Sequence, residues 1–186
     1  GTLTVAAAFV TLTANSGTET YDGTEKTVTG FTSSVNGLAF PGVNASGSGT
    51  DAGTYDVTFM GVTLNATTDE SGDYVVTNIV DGTLTINPAE ATVTADNKTK
   101  TYRESDPELT ATVTGLIGSD AITYSLNRAT GDNVGTYAIT PMGEAAQGNY
   151  TVNYVPGTFT ISQKGLTITA PNQTITYGET PNNDVT

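Results

Sequence analysis

Apolar and polar residues alternate along a stretch of 21 residues that occurs three times in the chain. The copies are Gly1–Tyr21, Gly82–Tyr102 and Gly157–Tyr177, and apolar residues occupy matched positions in all three. A period of two residues is typical of a β-strand with one buried face. We therefore predict that the chain is built from repeats whose boundary strands are of one type.

The alternation changes parity in the middle of each copy. Leu84 and Ile86 define one apolar face, whereas the apolar residues of Ala91–Ala95 fall on the opposite one. A strand cannot exchange its buried face without a bulge or a break, and Pro88 cannot donate a backbone hydrogen bond. We predict that Pro88-Ala89-Glu90 is a short joint with restricted bending, and that the two faces belong to two separate hydrophobic interiors.

The repeat length fits small β domains. Tyr21 and Tyr102 are 81 residues apart, and Tyr102 and Tyr177 are 75 apart. Short alternating runs separated by turn residues, without helical periodicity, indicate an all-β fold. We predict tandem immunoglobulin-like β-sandwich repeats joined by short rigid linkers, with β-grasp-like repeats as the alternative.

The predicted division of the chain follows from the repeat. Residues 1–5 form the closing strand of a preceding repeat, 6–87 a first repeat, 88–162 a second, and 163–186 the start of a third. Since the chain opens within a copy and without Met, we expect it to be an internal piece of a longer protein.

Two further patterns predict local structure inside the repeats. The step Asp51–Tyr55, repeated as Asn133–Tyr137, resembles the tyrosine corner of β-sandwiches, in which the hydroxyl binds backbone a few residues upstream. Tyr74–Ile86 is predicted to close the first repeat, and the Gly/Ser-rich segment Asn44–Thr50 is predicted to be a mobile loop. The predicted repeat signature comprises Tyr21, Gly53, Tyr55, Gly82, Leu84, Ile86, Tyr102, Gly135, Tyr137, Gly157, Phe159, Ile161 and Tyr177.

The motifs of the second repeat resemble a known group. Tyr102, Asp106-Pro107, Gly148-Asn149-Tyr150 and the strand Phe159–Ile161 are similar to the MBG-type (YGX) repeats of large bacterial surface proteins. The chain departs from that pattern at Arg103, where these repeats usually have Gly.

The first repeat resembles a related type. Its Tyr21-Asp22-Gly23 motif is closer to YDG-type repeats, and it lacks the Asp-Pro pair. The two resemblances imply an extracellular or cell-surface location in bacteria, in proteins often described as adhesins, and no catalytic residues. We expect a structural stalk or filament segment that acts as a rigid spacer.

The alternative function is a ligand-binding adhesion module. It would recognise a glycan or a host protein through loops such as Asn44–Thr50 or Ala129–Asn133. The expected partners of the spacer are neighbouring repeats of the same chain. Head-to-tail self-association is a further expectation, in which Gly1–Val5 and Gly165–Ala170 complement other chains, because exposed strand edges recruit strands.

Composition narrows the choice of partners. The chain holds 6 basic and 19 acidic residues, a net charge of −13. This charge repels nucleic-acid phosphates and anionic membrane surfaces, so neither is predicted as a partner, and membrane insertion is not predicted either. The sequence contains no Cys, which excludes disulfides.

The sequence offers little catalytic chemistry. It contains no His, so histidine-based triads and the usual zinc sites are excluded, and we predict no enzyme activity, no metal and no cofactor. Calcium is considered only for the acidic turn Asp69–Asp73, which lacks the spaced ligands of a calcium loop. Lys26, Lys98 and Lys100 are the candidates for intramolecular Lys–Asn cross-links.

Overall fold

The computed structural model describes residues 1–170, 172 and 174–180. All regular secondary structure in these residues is β-strand, which confirms the all-β prediction. No helix in this part of the chain is long and apolar enough to cross a membrane. The strands are β1 (Ala8–Ala14), β2 (Gly17–Thr20), β3 (Lys26–Thr29), β4 (Phe31–Ser33), β5 (Asn44–Gly49), β6 (Gly53–Met60), β7 (Tyr74–Val80), β8 (Gly82–Asn87), β9 (Ala89–Ala95), β10 (Lys98–Thr101), β11 (Ala111–Thr114), β12 (Ser125–Arg128), β13 (Gly135–Met142), β14 (Ala146–Gln147), β15 (Tyr150–Val155) and β16 (Gly157–Ser162).

The strands form two units, each made of two sheets. The first unit (Ala8–Asn87) has sheets of order β4-β1-β7 and β2-β8-β6-β5-β3. The second unit (Ala89–Ser162) has sheets of order β11-β9-β15-β14 and β10-β16-β13-β12. Each sheet contains one parallel pair and at least one antiparallel pair. The immunoglobulin-like topology and its β-grasp-like alternative remain predictions.

Two neighbouring parallel strands cross together from one sheet to the other in each unit. In the first unit β1 pairs with β7, and their continuations β2 and β8 pair in the second sheet. The hydroxyl oxygen of Ser16 accepts a hydrogen bond from the Thr83 N–H at this crossing, 3.0 Å away. In the second unit the side-chain oxygen of Asn97 accepts one from the Thr158 N–H, 2.7 Å away. The crossing is thus a repeated element.

The segment Tyr74–Ile86, predicted to close the first repeat, passes through this crossing. It breaks at Asp81 into β7 and β8, which belong to different sheets. Gly82 lies at the break, where a Cβ atom would overlap the Asn15 carbonyl oxygen and lie 2.9 Å from that of Ala14. A side chain at this position would therefore push the two crossing strands apart.

The Gly/Ser-rich segment is also not a loop. Asn44–Gly49 is strand β5, which lies between β3 and β6 inside a sheet. A Cβ on Gly47 would lie 3.0 Å from the Val57 Cα, and one on Gly49 would overlap the Tyr55 ring. The two glycines thus allow close packing, and the prediction of a mobile loop is wrong.

The buried side chains form a continuous interior across the two units. The parity change is confirmed, because Leu84 and Ile86 are buried on β8 whereas Ala91 and Val93 are buried on β9. The prediction of two separate interiors is wrong, since all four belong to one cluster. That cluster comprises Ala14, Tyr21, Ala45, Val57, Leu84, Ile86, Ala89, Ala91, Val93, Tyr150 and Val152.

Each unit also has a cluster made only of its own residues. The first unit contributes Val10, Leu12, Phe40, Val43 and Val76, against which half-buried residues such as Phe31 and Phe59 pack. The second unit contributes Ala95, Ile139, Phe159 and Ile161.

The predicted partial repeats at the ends have no strand partner in the described residues. No strand is assigned within Gly1–Val5 or within 163–170, and Leu3, Val5, Leu166 and Ile168 are exposed. Residues 171, 173 and 181–186 lie outside the described residues. The assignment of these ends to further repeats, and their association with other chains, remain predictions.

Candidate functional site

The boundary between the units is much shorter than predicted. Strand β8 ends at Asn87 and β9 begins at Ala89, so Pro88 alone separates two strands of different sheets. The Asn87 carbonyl accepts a hydrogen bond from the Tyr21 N–H, and the Ala89 N–H donates one to the carbonyl of Asn149, both 2.9 Å long. Backbone pairing therefore continues to either side of Pro88, and we call this boundary the joint.

Two tyrosines share one carboxylate at the joint. The hydroxyl of Tyr21 in the first unit donates to Oδ2 of Asp120 in the second, at 2.9 Å, and the hydroxyl of Tyr150 donates to the same oxygen at 2.7 Å. The rings of Tyr21 and Tyr150 pack edge to face with centroids 5.7 Å apart. Both rings are buried. This contact combines apolar packing with charge-assisted hydrogen bonds.

A second contact links the units through one amide side chain. Oδ1 of Asn149 accepts from the Ala52 N–H at 2.8 Å, and Nδ2 of Asn149 donates to Oδ1 of Asp51 at 2.9 Å. The hydroxyl of Tyr55 in turn donates to the Asp51 carbonyl at 2.9 Å. The predicted tyrosine contact is present, and it fixes the turn that Asn149 binds.

The environment of the joint changes the acidity of both tyrosines. The hydrogen bond to the Asp120 carboxylate, followed by burial, raises the pKa of Tyr21. Burial, followed by the hydrogen bond to Asp120, raises the pKa of Tyr150. Both hydroxyls therefore remain protonated hydrogen-bond donors at pH values above the ordinary pKa of tyrosine.

The predicted signature residues lie in different parts of the structure. Tyr21 lies in the joint, Tyr55 supports it, and Tyr137 makes the equivalent bond to the Asn133 carbonyl at 2.8 Å. The core and crossing positions are Gly82, Leu84, Ile86, Gly157, Phe159 and Ile161, with Tyr102 packed beside them. Gly53 and Gly135 begin strands β6 and β13, and Tyr177 is exposed.

Sequence reasoning missed the joint roles of Asp120 and Asn149. The signal for Asn149 was its place beside a repeated tyrosine. Asp120 follows the apolar pair Leu116-Ile117 in a turn, but no local pattern connects it with Tyr21, which lies 99 positions away.

In the acidic turn considered for calcium, the Asp69 carboxylate already accepts hydrogen bonds from other groups of the same turn. The carboxylate of Asp69, which is buried, accepts hydrogen bonds from the hydroxyl of Ser71 and the N–H groups of Ser71 and Tyr74. The Ser71 hydroxyl contributes most to lowering the pKa of Asp69. Within the described residues no group of three or more acidic side chains is arranged to hold a metal ion. Calcium binding remains a prediction.

Two of the lysines considered for cross-links form ion pairs. Lys26 Nζ lies 2.5 Å from Asp22 Oδ2, and Lys100 Nζ lies 2.6 Å from Asp106 Oδ1. Arg128 binds the other oxygen of Asp106 at 2.8 Å and covers the ring of Phe159. The hydrogen bond from Lys100 is the main cause that lowers the pKa of Asp106. A Lys–Asn cross-link remains a prediction.

The second unit corresponds closely to a known domain. The match begins at Ala91 on β9 and ends at Thr160 on β16, so it covers the strands of this unit almost completely. Residues 91–160 match the MBG domain (YGX type). We therefore call the second unit the MBG unit, and the resemblance inferred from its motifs is confirmed.

The MBG domain occurs in bacterial surface repeat proteins, and its family is a structural repeat family with no known catalytic role. The same comparisons found no matching curated protein and no matching solved structure. The YDG-type resemblance of the first unit remains a prediction.

Arg103 shows why Gly is usual after the tyrosine of this domain. It has a φ of 68°, in the left-handed region that favours Gly. Its guanidinium lies 5.5 Å from the centroid of the Tyr102 ring. In the corresponding turn of the first unit, the residue with a left-handed φ is Gly23, two positions after Tyr21. The two turns therefore differ in the position that needs Gly.

Proposed function

We propose that this chain is a segment of a bacterial cell-surface stalk, in which the two units act together as a rigid extracellular spacer. The observation that carries the proposal is the joint, where Pro88 alone separates β8 from β9. A flexible linker needs several residues without pairing partners. Here backbone hydrogen bonds exist on both sides of Pro88.

The side chains at the joint support the same conclusion. Rotation of the units would break the bonds of Tyr21 and Asn149 to the opposite unit, and it would expose part of the shared interior. Buried apolar surface returned to water costs about 25 cal/mol per Å². Small rotations are therefore opposed by both packing and hydrogen bonds.

Nuclear magnetic resonance tests the proposal directly. Residual dipolar couplings of the whole chain should fit one alignment tensor for both units. A short Gly-Ser insertion between Asn87 and Pro88 should separate the two tensors. The same insertion at Gly72, an exposed turn with open space around it, is the matched control and should leave one tensor. Two independent tensors in the unmodified chain would refute the rigid spacer.

The adhesion alternative receives no comparable support. Asn44–Gly49 is a strand inside a sheet, and the carbonyls of Ala129 and Gly131 in the other candidate loop accept hydrogen bonds from Arg128. A glycan or a host protein as partner remains a prediction, and the proposal assigns no catalytic step to the chain.

A further inference from the structure

The face that the MBG unit presents at the joint has a counterpart in the first unit. Gly118 and Gly148, with φ of 59° and 55°, precede the joint residues Asp120 and Asn149. Gly37 and Gly72, with φ of 82° and 79°, occupy the same places after β4 and before β7. When the two units are aligned on these glycines, Ala39 and Asp73 of the first unit take the places of Asp120 and Asn149.

These two replacements change the chemistry of the face. Ala39 has no acceptor for the tyrosine hydroxyls that Asp120 binds. Asp73 carries a carboxylate where Asn149 carries an amide, so it can accept a hydrogen bond but cannot donate one. Both Ala39 and Asp73 are exposed.

A second copy of the first unit would therefore fit badly at the joint. Its Asp73 would occupy the place of Asn149, whose Nδ2 lies 2.9 Å from Asp51. Two carboxylates at that separation repel each other, and one of them must take up a proton to remain there. The Tyr21 hydroxyl would also lose its acceptor.

We propose that Asp51 and Tyr21 select the unit that follows, so that the joint accepts an MBG-type face with an amide at position 149 and a carboxylate at position 120 and rejects a copy of the first unit. Specificity arises from the repulsive alternative as much as from the favourable contact. The inference rests on the proposed function, in which neighbouring units are the partners of the joint.

The opposite end of the MBG unit follows another rule. Asn133 takes the place of Asp51, because the hydroxyl of Tyr137 binds its carbonyl as that of Tyr55 binds the carbonyl of Asp51. An amide can pair with either an amide or a carboxylate. Asn133 therefore lacks the charge by which Asp51 would repel a carboxylate.

The test exchanges the charges of the selecting pair in the whole chain. Asn149→Asp should separate the alignment tensors of the two units and lower the hydrogen-exchange protection of the Ala52 amide by about tenfold. Asp51→Asn combined with Asn149→Asp should restore both, because the carboxylate introduced at position 149 can then accept from the Ala52 N–H and from the amide introduced at position 51. Asp51→Asn alone should change little, since an amide oxygen still accepts from Asn149.

Controls separate this inference from the proposed function. The Gly30 amide, bonded to the Ala45 carbonyl within the first unit, should keep its protection in all variants and so reports intact folding. If Asn149→Asp leaves the joint ordered while the insertion at Pro88 loosens it, selection is refuted and the spacer stands. If the double variant is no better ordered than Asn149→Asp, the charge argument is refuted.

Discussion

Gly82 offers the sharpest test of why the repeat signature contains glycine. It lies where β7 and β8 cross from one sheet to the other beside the backbone of Asn15. Gly82→Ala places a methyl group over the Asn15 carbonyl, 2.8 Å from its carbon atom. The atoms that it meets are backbone, so no side-chain rotation can relieve the clash.

The expected loss of stability follows from two opposing effects. Forcing an extra carbon into a packed interior costs about 1–3 kcal/mol. The reduced freedom of Ala in the unfolded chain returns about 0.4–1 kcal/mol. We therefore expect Gly82→Ala to lower the free energy of unfolding by about 1–2 kcal/mol.

Gly53→Ala is the matched control. A Cβ there would meet nothing closer than the Tyr55 ring at 3.8 Å, which is ordinary contact. This variant should be as stable as the unmodified chain or slightly more stable. Gly157→Ala repeats the test in the MBG unit, where the added Cβ would lie 2.5 Å from the Ala95 carbonyl oxygen.

Urea unfolding followed by tyrosine circular dichroism measures the difference, with the midpoint and the slope fitted separately. Gly82→Ala and Gly157→Ala should shift the midpoint downwards at an unchanged slope. A Gly82→Ala variant as stable as Gly53→Ala would show that the crossing tolerates a side chain and that the steric reasoning is wrong.

Two further predictions concern single positions. Arg103→Gly should be more stable in urea than Arg103→Ala, because both lose the contact with Tyr102 but only Gly accepts a φ of 68° freely; the reverse order would contradict this explanation of the turn. The pKa of both Tyr21 and Tyr150 is raised in the folded chain, so their contribution to stability is present below the ordinary tyrosine pKa of about 10 and is lost as pH rises through the raised values. Phenolate absorbance should show two late-titrating tyrosines, and Asp120→Ala should make Tyr21 titrate earlier; an unchanged titration would exclude the shared carboxylate as the cause.

The structure changes the meaning of one composition signal. Glycine and serine in Asn44–Gly49 suggested a mobile loop, yet the segment is a strand in which Gly47 and Gly49 allow close packing. A glycine-rich composition is compatible both with a mobile loop and with a closely packed strand. Only the positions of Val57 and Tyr55, which lie on the neighbouring strand, distinguish them.

The sequence by itself determined which residues alternate and therefore which face of each boundary strand is buried. The parity change around Pro88 and the tyrosine contact of Tyr55 depend on neighbours within a few residues, and the repeat follows from comparing its copies along the chain. Such local geometry follows from the period of the strand and the bonding reach of one side chain.

Tertiary structure alone decided which faces meet and how closely. The division of Tyr74–Ile86 between two sheets, the single interior across the joint, and the placement of Asp120 between Tyr21 and Tyr150 all join residues far apart in the chain. The alternation of apolar and polar residues predicts that a side chain is buried but not which residue covers it. Many pairings of strands satisfy the same pattern of apolar faces.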